Sequence, residues 1–345
     1  MAIKLRLLYR RYRLAFRAPV RTAHGVWSER EGVIVRLEDD AGAVGYGEAA
    51  TLPHFGTETP DEVVAALQAL GEWTTAEALA EVPARLGCLR SALTSAGAAD
   101  EADKSEAKDY LGVAALLPAG RAALPELALR AEAGFRVFKW KVGVGDIADE
   151  LSLLDDLCGA LPSGGKLRLD ANGAWDRRKA ERWLERCADR PVEHVEQPCL
   201  AAVNDSEAAR VKVDDVLLGL AGNFPTPVAL DESLVREGDV ERWIGAGWPG
   251  VYVIKPALLG DATGVLGRLE QAKAKVVFSS ALETAVGAQS ALRVAFRWRG
   301  EAPALGFGVW PLFADARCEG PRAAPFFRRE DVAAIQPEAV WNALS

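Results

Sequence analysis

The sequence predicts an α/β protein: a (β/α)7β-type TIM barrel with an N-terminal α+β capping domain completed by the C-terminal tail. Two patterns carry this expectation. Residues 106–314 alternate short apolar strand-like runs with helical stretches eight times, the last helix being replaced by an irregular tail. Such alternation implies parallel strands joined by crossover helices, and eight units in about 200 residues favour a closed barrel over an open sheet. Residues 1–105 instead carry antiparallel signals followed by helices. The expected division is therefore a cap over 1–105, a catalytic barrel over 106–314, and a segment over 315–345 that packs back on the cap.

The elements follow in order. Residues 3–16 and 31–47 alternate and read as strands, the second holding two apolar runs joined by Asp39-Asp40-Ala41-Gly42, a hairpin signal. Thr59-Pro60-Asp61-Glu62 starts a helix, and 84–96 forms a second apolar-striped helix. Residues 98–110 are charged and Ala-rich, a surface connection. LGVAALLPAG is then the first barrel strand. RVFKWKVG, KLRLDANG, VEHVEQP, PVALDES, GVYVIKPALLG, KVVFSSALET and APALGFGVW follow, separated by helices at 124–134, 146–161, 177–188, 204–220, 238–247, 261–273 and 285–300. Trp183 and Trp243 sit in helical apolar stripes and read as core. Trp140 should point outward from its strand toward a helix.

Composition narrows the function. The chain has 345 residues, 50% of them hydrophobic and 26% charged, an ordinary globular mix. Its net charge of −8 disfavours nucleic acid or an anionic membrane as a general partner. No apolar run reaches the ~20 residues of a spanning helix, and the N-terminus lacks the uninterrupted apolar core of a secretory signal. Five scattered cysteines without CxxC spacing suit reduced thiols in the cytoplasm. Three histidines supply poorly any chemistry built on His clusters. No phosphate-binding glycine motif is present. Oligomeric state is not legible; a monomer is expected, with a dimer as the alternative.

The polar residues at the strand ends are the informative ones, because barrel active sites lie at the C-terminal ends of the strands. Asp170, Glu196 and Asp231 end three consecutive strands. Singly, each reads equally well as a strand-end surface residue or a helix N-cap. Together, three converging carboxylates repel one another unless a cation neutralises them, and Mg²⁺ suits such oxygen ligands, with Mn²⁺ as a substitute. Lysine is a minority choice here, 11 against 30 arginines, yet Lys139, Lys141 and Lys255 occupy the ends of the second and sixth strands on opposite sides of the ring. Unlike Arg, Lys can be pushed toward neutrality, so Lys141, close to Lys139 and a cation, suits a general base. For Lys255 a structural ion pair is the alternative. Lysines flanking an oxygen-ligated cation can remove a proton next to a carboxylate and hold the resulting enediolate.

Lys139-Trp140-Lys141, Asp170-Ala171-Asn172, Glu196-Gln197-Pro198, Asp231-Glu232-Ser233 and Lys255-Pro256 resemble the motif set of the enolase superfamily, in its muconate-lactonizing-enzyme-like subgroup. The segments 16–25, 45–49, 52–59, 168–172 and 279–283 are similar to the o-succinylbenzoate synthase family, in the divergent form of cyanobacteria and their relatives. The resemblance implies that Asp170, Glu196 and Asp231 bind Mg²⁺. It implies that Lys141 takes the α-proton of 2-succinyl-6-hydroxy-2,4-cyclohexadiene-1-carboxylate and returns it to the departing hydroxyl, a syn-dehydration giving o-succinylbenzoate for menaquinone or phylloquinone. Lys255 would stabilise the anion or contact the substrate ring, and Lys139 would lower the pKa of Lys141. Arg168 and Asn172 would position carboxylates from just behind the metal ligands or contact the substrate. Ser279 and Ser280 would hold the succinyl carboxylate through hydroxyl or backbone donors. The loop at Arg21–Gly25 would close over the site, with Arg21 and His24 equally readable as an exposed cation and a turn histidine.

Other reactions share these residues. N-succinylamino acid racemases, dipeptide epimerases and muconate cycloisomerases use the same lysines and ligands, and dual activity is an open alternative. LGFGVWPLF lacks the DxD that would bind a dipeptide's ammonium. A non-catalytic barrel is disfavoured because no ligand or base is missing, and a phosphate-binding barrel because Trp310 and Phe313 beside Gly306-Phe307-Gly308 suggest apolar packing.

Overall fold

The computed structural model describes residues 4–22, 25–97, 108–202 and 205–344. His24, the side chain of Arg21 and most of the charged connection at 98–110 lie outside the described residues.

The cap begins with strands β1 (Lys4–Thr22), β2 (Gly25–Glu38) and β3 (Val44–Ala49), followed by α1 (Pro60–Leu70), β4 (Trp73–Thr75), α2 (Ala76–Ala80) and α3 (Gly87–Gly97). The sheet order is β3-β2-β1-β4, and all neighbours are antiparallel. Asp39 closes the hairpin at the predicted turn, accepting from the amides of Ala41 and Ala43. Thr59 and Glu62 form a reciprocal capping box at the start of α1. The sequence reading made β1 and β2 too short. Pairing of β1 with β2 runs to Ala15, is interrupted by an irregularity, and resumes from Val20 to Thr22. It also missed β4, a three-residue edge strand of weak local signal.

The barrel strands are β6 (Ala115–Leu117), β7 (Val137–Lys141), β8 (Lys166–Asp170), β9 (Val192–Glu196), β10 (Val228–Leu230), β11 (Val251–Ile254) and β12 (Lys275–Phe278). They form one parallel sheet in sequence order. The intervening helices are α4 (Ala123–Glu132), α5 (Ile147–Ala160), α6 (Arg177–Cys187), α7 (Glu207–Asn223), α8 (Glu237–Gly245) and α9 (Ala262–Gln271), and α10 (Ala285–Arg297) follows β12. Asp146, Asp176, Ser206, Asp261 and Thr284 cap five of them with side-chain oxygens. The eighth strand is reduced to single bridges, Val113 with Leu305 and Ser279 with Gly306, which complete the ring.

The first strand also corrects the sequence reading. LGVAALLPAG is not one element: β5 (Tyr110–Gly112) leaves the barrel and pairs antiparallel with β13 (Phe326–Arg328) of the tail. The tail is therefore not wholly irregular, and it adds α11 (Arg329–Ala333) and α12 (Pro337–Ala343). It packs against the cap: Arg17 Nε pairs with Glu319 Oε1 at 3.1 Å, and the Arg10 guanidinium lies 4.3 Å from the Trp341 ring centroid.

The core lies between strands and helices. Trp140 points outward and meets Trp183 edge to face, with centroids 6.3 Å apart, and Trp243 is fully buried. All five cysteines are free. Among the described residues no helix is long and apolar enough to cross a membrane. In the cap, β3 runs directly against α3 because Gly45 and Gly47 have no side chain. A Cβ on Gly47 would lie 1.9 Å from the Ala92 carbonyl oxygen. Gly47→Ala should therefore destabilise the protein by about 1–3 kcal/mol, the usual cost of overpacking, read as a lower denaturant midpoint; an unchanged midpoint would show that α3 can move aside.

Candidate active site

A cavity of about 230 Å³ opens at the C-terminal ends of the barrel strands. Lys139, Lys141, Asp170, Asn172, Asp231, Glu232, Lys255, Ser279 and Ser280 line its floor and one side. Trp27, Leu52 and Phe55 of the cap, with Leu116, Leu117, Leu282 and Val309, make the apolar remainder. A larger cleft of about 380 Å³ between α3, α9, α10 and α11 holds Arg293, Arg297 and Arg329 but neither the lysines nor the three carboxylates.

Strand register assembles the polar floor. Lys141 pairs with Asp170 across β7 and β8, and Asp170 pairs with Glu196 across β8 and β9. Asp231 follows the last residue of β10, and Lys255 the last of β11. Lys139 bridges two of the carboxylates, 2.9 Å from Asp170 Oδ2 and 2.6 Å from Glu196 Oε1. Burial opposes its charge, yet Asp170 and Glu196 hold its pKa well above the ordinary lysine value. Glu196 is likewise buried, and Lys139 and His194 hold its carboxyl well below the usual range. Lys255 Nζ meets Asp231 Oδ1 and stands 5.6 Å from the Phe55 ring centroid.

Lys141 is half-buried, and burial pulls its pKa down; Asp170 and Glu232 oppose this, while Lys139 adds to it. The sequence reading put neighbouring positive charge first, but desolvation is the larger cause. Burial similarly lowers Lys255. Both lysines line the cavity, from β7 and β11 across the ring.

Two participants were visible in the sequence motifs but given no role there. Glu232 is buried and lines the cavity beside Asp231; Asn172 Nδ2 donates to its Oε1 at 2.9 Å. Desolvation, then repulsion from Asp170 and Glu196, pushes its carboxyl up to about 8. Strand alternation would send adjacent Asp and Glu to opposite faces, but β10 ends at Leu230, so both can turn inward. Gln197 is fully buried with φ 37°. Its Oε1 accepts from the amides of Asp231 and Ser233, and its Nε2 donates to Cys199 O and Ser233 Oγ. It thereby fixes the Asp231 backbone from the neighbouring strand. The Glu-Gln-Pro motif carried that signal.

Arg168 does not belong to the substrate cavity, contrary to expectation. Two residues nearer the start of β8 than Asp170, it donates to Glu193 Oε2 and to Ala304 O, both at 2.6 Å, deeper in the barrel. Asn172 remains at the cavity, its own amide donating to Asp170 Oδ1. Ser279 and Ser280 line the cavity but do not offer free backbone donors. Their amides donate to Ile254 O and Gly306 O, and their hydroxyls to Gly306 O and Glu283 Oε2.

Among the described residues no three His, Cys, Asp or Glu side chains stand ready-grouped as a cation cage; the lysines lie among the carboxylates instead. The donor set nonetheless fits a hard divalent cation. All candidate ligands are carboxylate oxygens on adjacent strands, and two buried acceptors of cavity residues, Glu232 Oε2 and Asn172 Oδ1, have no hydrogen-bond donor.

The capped barrel with lysines facing carboxylates across its mouth defines a member of the enolase superfamily, and residues 123–307 match the family model described as Enolase C-terminal domain-like. Residues 3–90 match the model described as MenC, N-terminal domain. The o-succinylbenzoate synthase of Thermosynechococcus vestitus is 40% identical over 310 residues, covering 88% of this chain and 92% of the relative. That of Pectobacterium atrosepticum is 32% identical, covering 83% and 84%. The chain belongs to the o-succinylbenzoate synthase family. Among solved structures, o-succinylbenzoate synthase from Thermosynechococcus elongatus, complexed with Mg in the active site, superposes with a TM-score of 0.80 at 36% identity, covering 98% of this chain and 99% of that one. A dipeptide epimerase from Enterococcus faecalis, complexed with Mg and a dipeptide, shares the fold at TM-score 0.80 and 20% identity, covering 95% and 97%.

Arg168→Met should lower stability by about 2 kcal/mol, the scale of a hydrogen bond to a charged group, in a denaturation experiment. KM should stay near wild type; a raised KM at unchanged stability would return Arg168 to the substrate.

Proposed function

We propose that the chain is an o-succinylbenzoate synthase, a lyase that dehydrates 2-succinyl-6-hydroxy-2,4-cyclohexadiene-1-carboxylate to o-succinylbenzoate in menaquinone or phylloquinone biosynthesis. The observation that carries this reading is the pair Lys141 and Lys255, lining one cavity from opposite sides of a carboxylate floor. The family relationship supports the substrate.

Asp170, Glu196 and Asp231 would hold Mg²⁺, with Glu232 adjacent. The cation would supply positive charge that acidifies the α-proton of the substrate carboxylate and holds the enediolate. Lys141, its pKa lowered by burial, takes that proton at Nζ. Lys255 presents the second cationic group to the anion. Loss of the hydroxyl then aromatises the ring; the proton on Lys141 leaves with it as water, and the base returns to its starting state. Lys139, held charged by two carboxylates, keeps them in register rather than exchanging protons. Trp27, Leu52 and Phe55 cover the cavity from the cap and limit water access.

The expected form is a monomer, and five free cysteines suit a reducing, cytoplasmic setting. The two facing lysines also favour a second activity, racemisation of N-succinylamino acids, in which one lysine removes the α-proton and the other returns one to the opposite face.

Loss of diene absorbance on adding the cyclohexadiene carboxylate, dependent on Mg²⁺, is the expected result for the purified protein. Its absence in folded protein with Mg²⁺ would end the synthase reading, and α-deuterium exchange into N-succinylamino acids would then test the racemase. Lys141→Ala should lose more than about 10³-fold in kcat, the upper range for removing a general base, with the melting temperature unchanged; near wild-type turnover would remove Lys141 as base. Asp231→Asn should shift the Mg²⁺ titration to higher concentration. Because the base must be neutral, kcat/KM should fall as pH drops through the Lys141 pKa, and the downward shift places that limb below the usual lysine range.

A further inference from the structure

The seam between cap and barrel contains a buried guanidinium that the proposed reaction does not use. Arg30 of β2 is 3% exposed. It donates to four backbone carbonyls: Nη1 to Glu31 O at 2.5 Å and Thr51 O at 2.6 Å, Nη2 to Ala281 O and Nε to Leu282 O, both at 3.2 Å. Thr51 immediately precedes Leu52, a cap residue lining the cavity, while Ala281 and Leu282 themselves line its wall after β12. One side chain thus joins two walls that belong to different domains.

The wall after β12 needs such support. Leu282 has φ 58°, a conformation unfavourable for a branched side chain that persists only when its surroundings over-determine it. Glu283 holds the turn from within, accepting from Ser280 Oγ and the Ala281 amide. Arg30 satisfies the outward carbonyls, which would otherwise be left without donors in a buried seam. Next to it, Glu48 of β3 accepts from the amides of Thr284 and Gly287 at the start of α10 and from the Tyr12 hydroxyl. The cap therefore grips both the turn and the helix that follows it. Lys141 and the three candidate ligands stand on β7 to β10, outside this contact.

We propose that Arg30 is a positioning residue for substrate recognition: from the cap it sets the Ala281–Leu282 wall against the Leu52 wall, and so fixes the fit of the substrate portion remote from the cation. The proposal rests on the synthase reading for its kinetic consequence but not for its structural one.

The test compares Arg30→Met and Arg30→Lys with wild type in three measurements: steady-state kinetics on the cyclohexadiene carboxylate, Mg²⁺ titration, and amide hydrogen exchange over residues 279–284. Arg30→Met is expected to raise KM about ten-fold or more with kcat within about three-fold, to leave the Mg²⁺ midpoint unchanged and to speed exchange in 279–284. Arg30→Lys, keeping a donor but not the fork, should recover part of both losses. Wild-type exchange in 279–284 overturns the proposal whatever substrate is turned over, and so does a KM that rises only in step with a weakened Mg²⁺ midpoint. If Arg30→Met does not fold, Arg30→Lys decides by the same exchange and KM readings. An inactive wild type whose exchange still responds to Arg30 would refute the synthase reading while sustaining the wall-setting role.

Discussion

Charge balance at the mouth of the barrel is the constraint on which the site depends. Asp170, Glu196, Asp231 and Glu232 come from three adjacent strands and are buried together, where like charges cannot all ionise unopposed. Lys139 answers Asp170 and Glu196, and Lys255 answers Asp231. Burial, and then repulsion from Asp170 and Glu196, push the Glu232 carboxyl up to about 8. The same crowding suits the site to a divalent cation, whose binding to Asp231 would free Lys255 for the substrate.

The scaffold turns that balance into geometry. Parallel register aligns Lys141, Asp170 and Glu196 at one level, and Gln197 ties the following strand end to it. The cap supplies what the barrel lacks, an apolar cover and a second wall. Its attachment is polar rather than merely greasy: Arg30 and Glu48 satisfy backbone groups of the β12–α10 turn. A buried polar seam of this kind fixes one relative position of the two parts, because a small slip leaves several groups unpartnered at once.

Much of this was legible in one sequence. The eight strand–helix alternations determined the barrel, and the polar residues at strand ends marked the candidate site at its mouth, since period-two alternation decides which residues point inward. Asp170, Glu196, Asp231, Lys139, Lys141 and Lys255 could be named because each interrupts or ends an apolar strand. Arg168 shares that face with Asp170, yet lies two residues deeper, and depth along a barrel has no mark in a one-dimensional pattern. Its partners Glu193 and Ala304 are distant in sequence.

Only the tertiary structure decided the rest, and the reason is common to every case. The pairing of β5 with β13, the reduction of the eighth strand to single bridges, the inward turn of Glu232 and the reach of Arg30 to Ala281 and Leu282 all join segments far apart in the chain. Local patterning states which face of an element is apolar and which residues can do chemistry. It does not state which backbone carbonyl a buried arginine will find, because that depends on how the cap and the barrel meet.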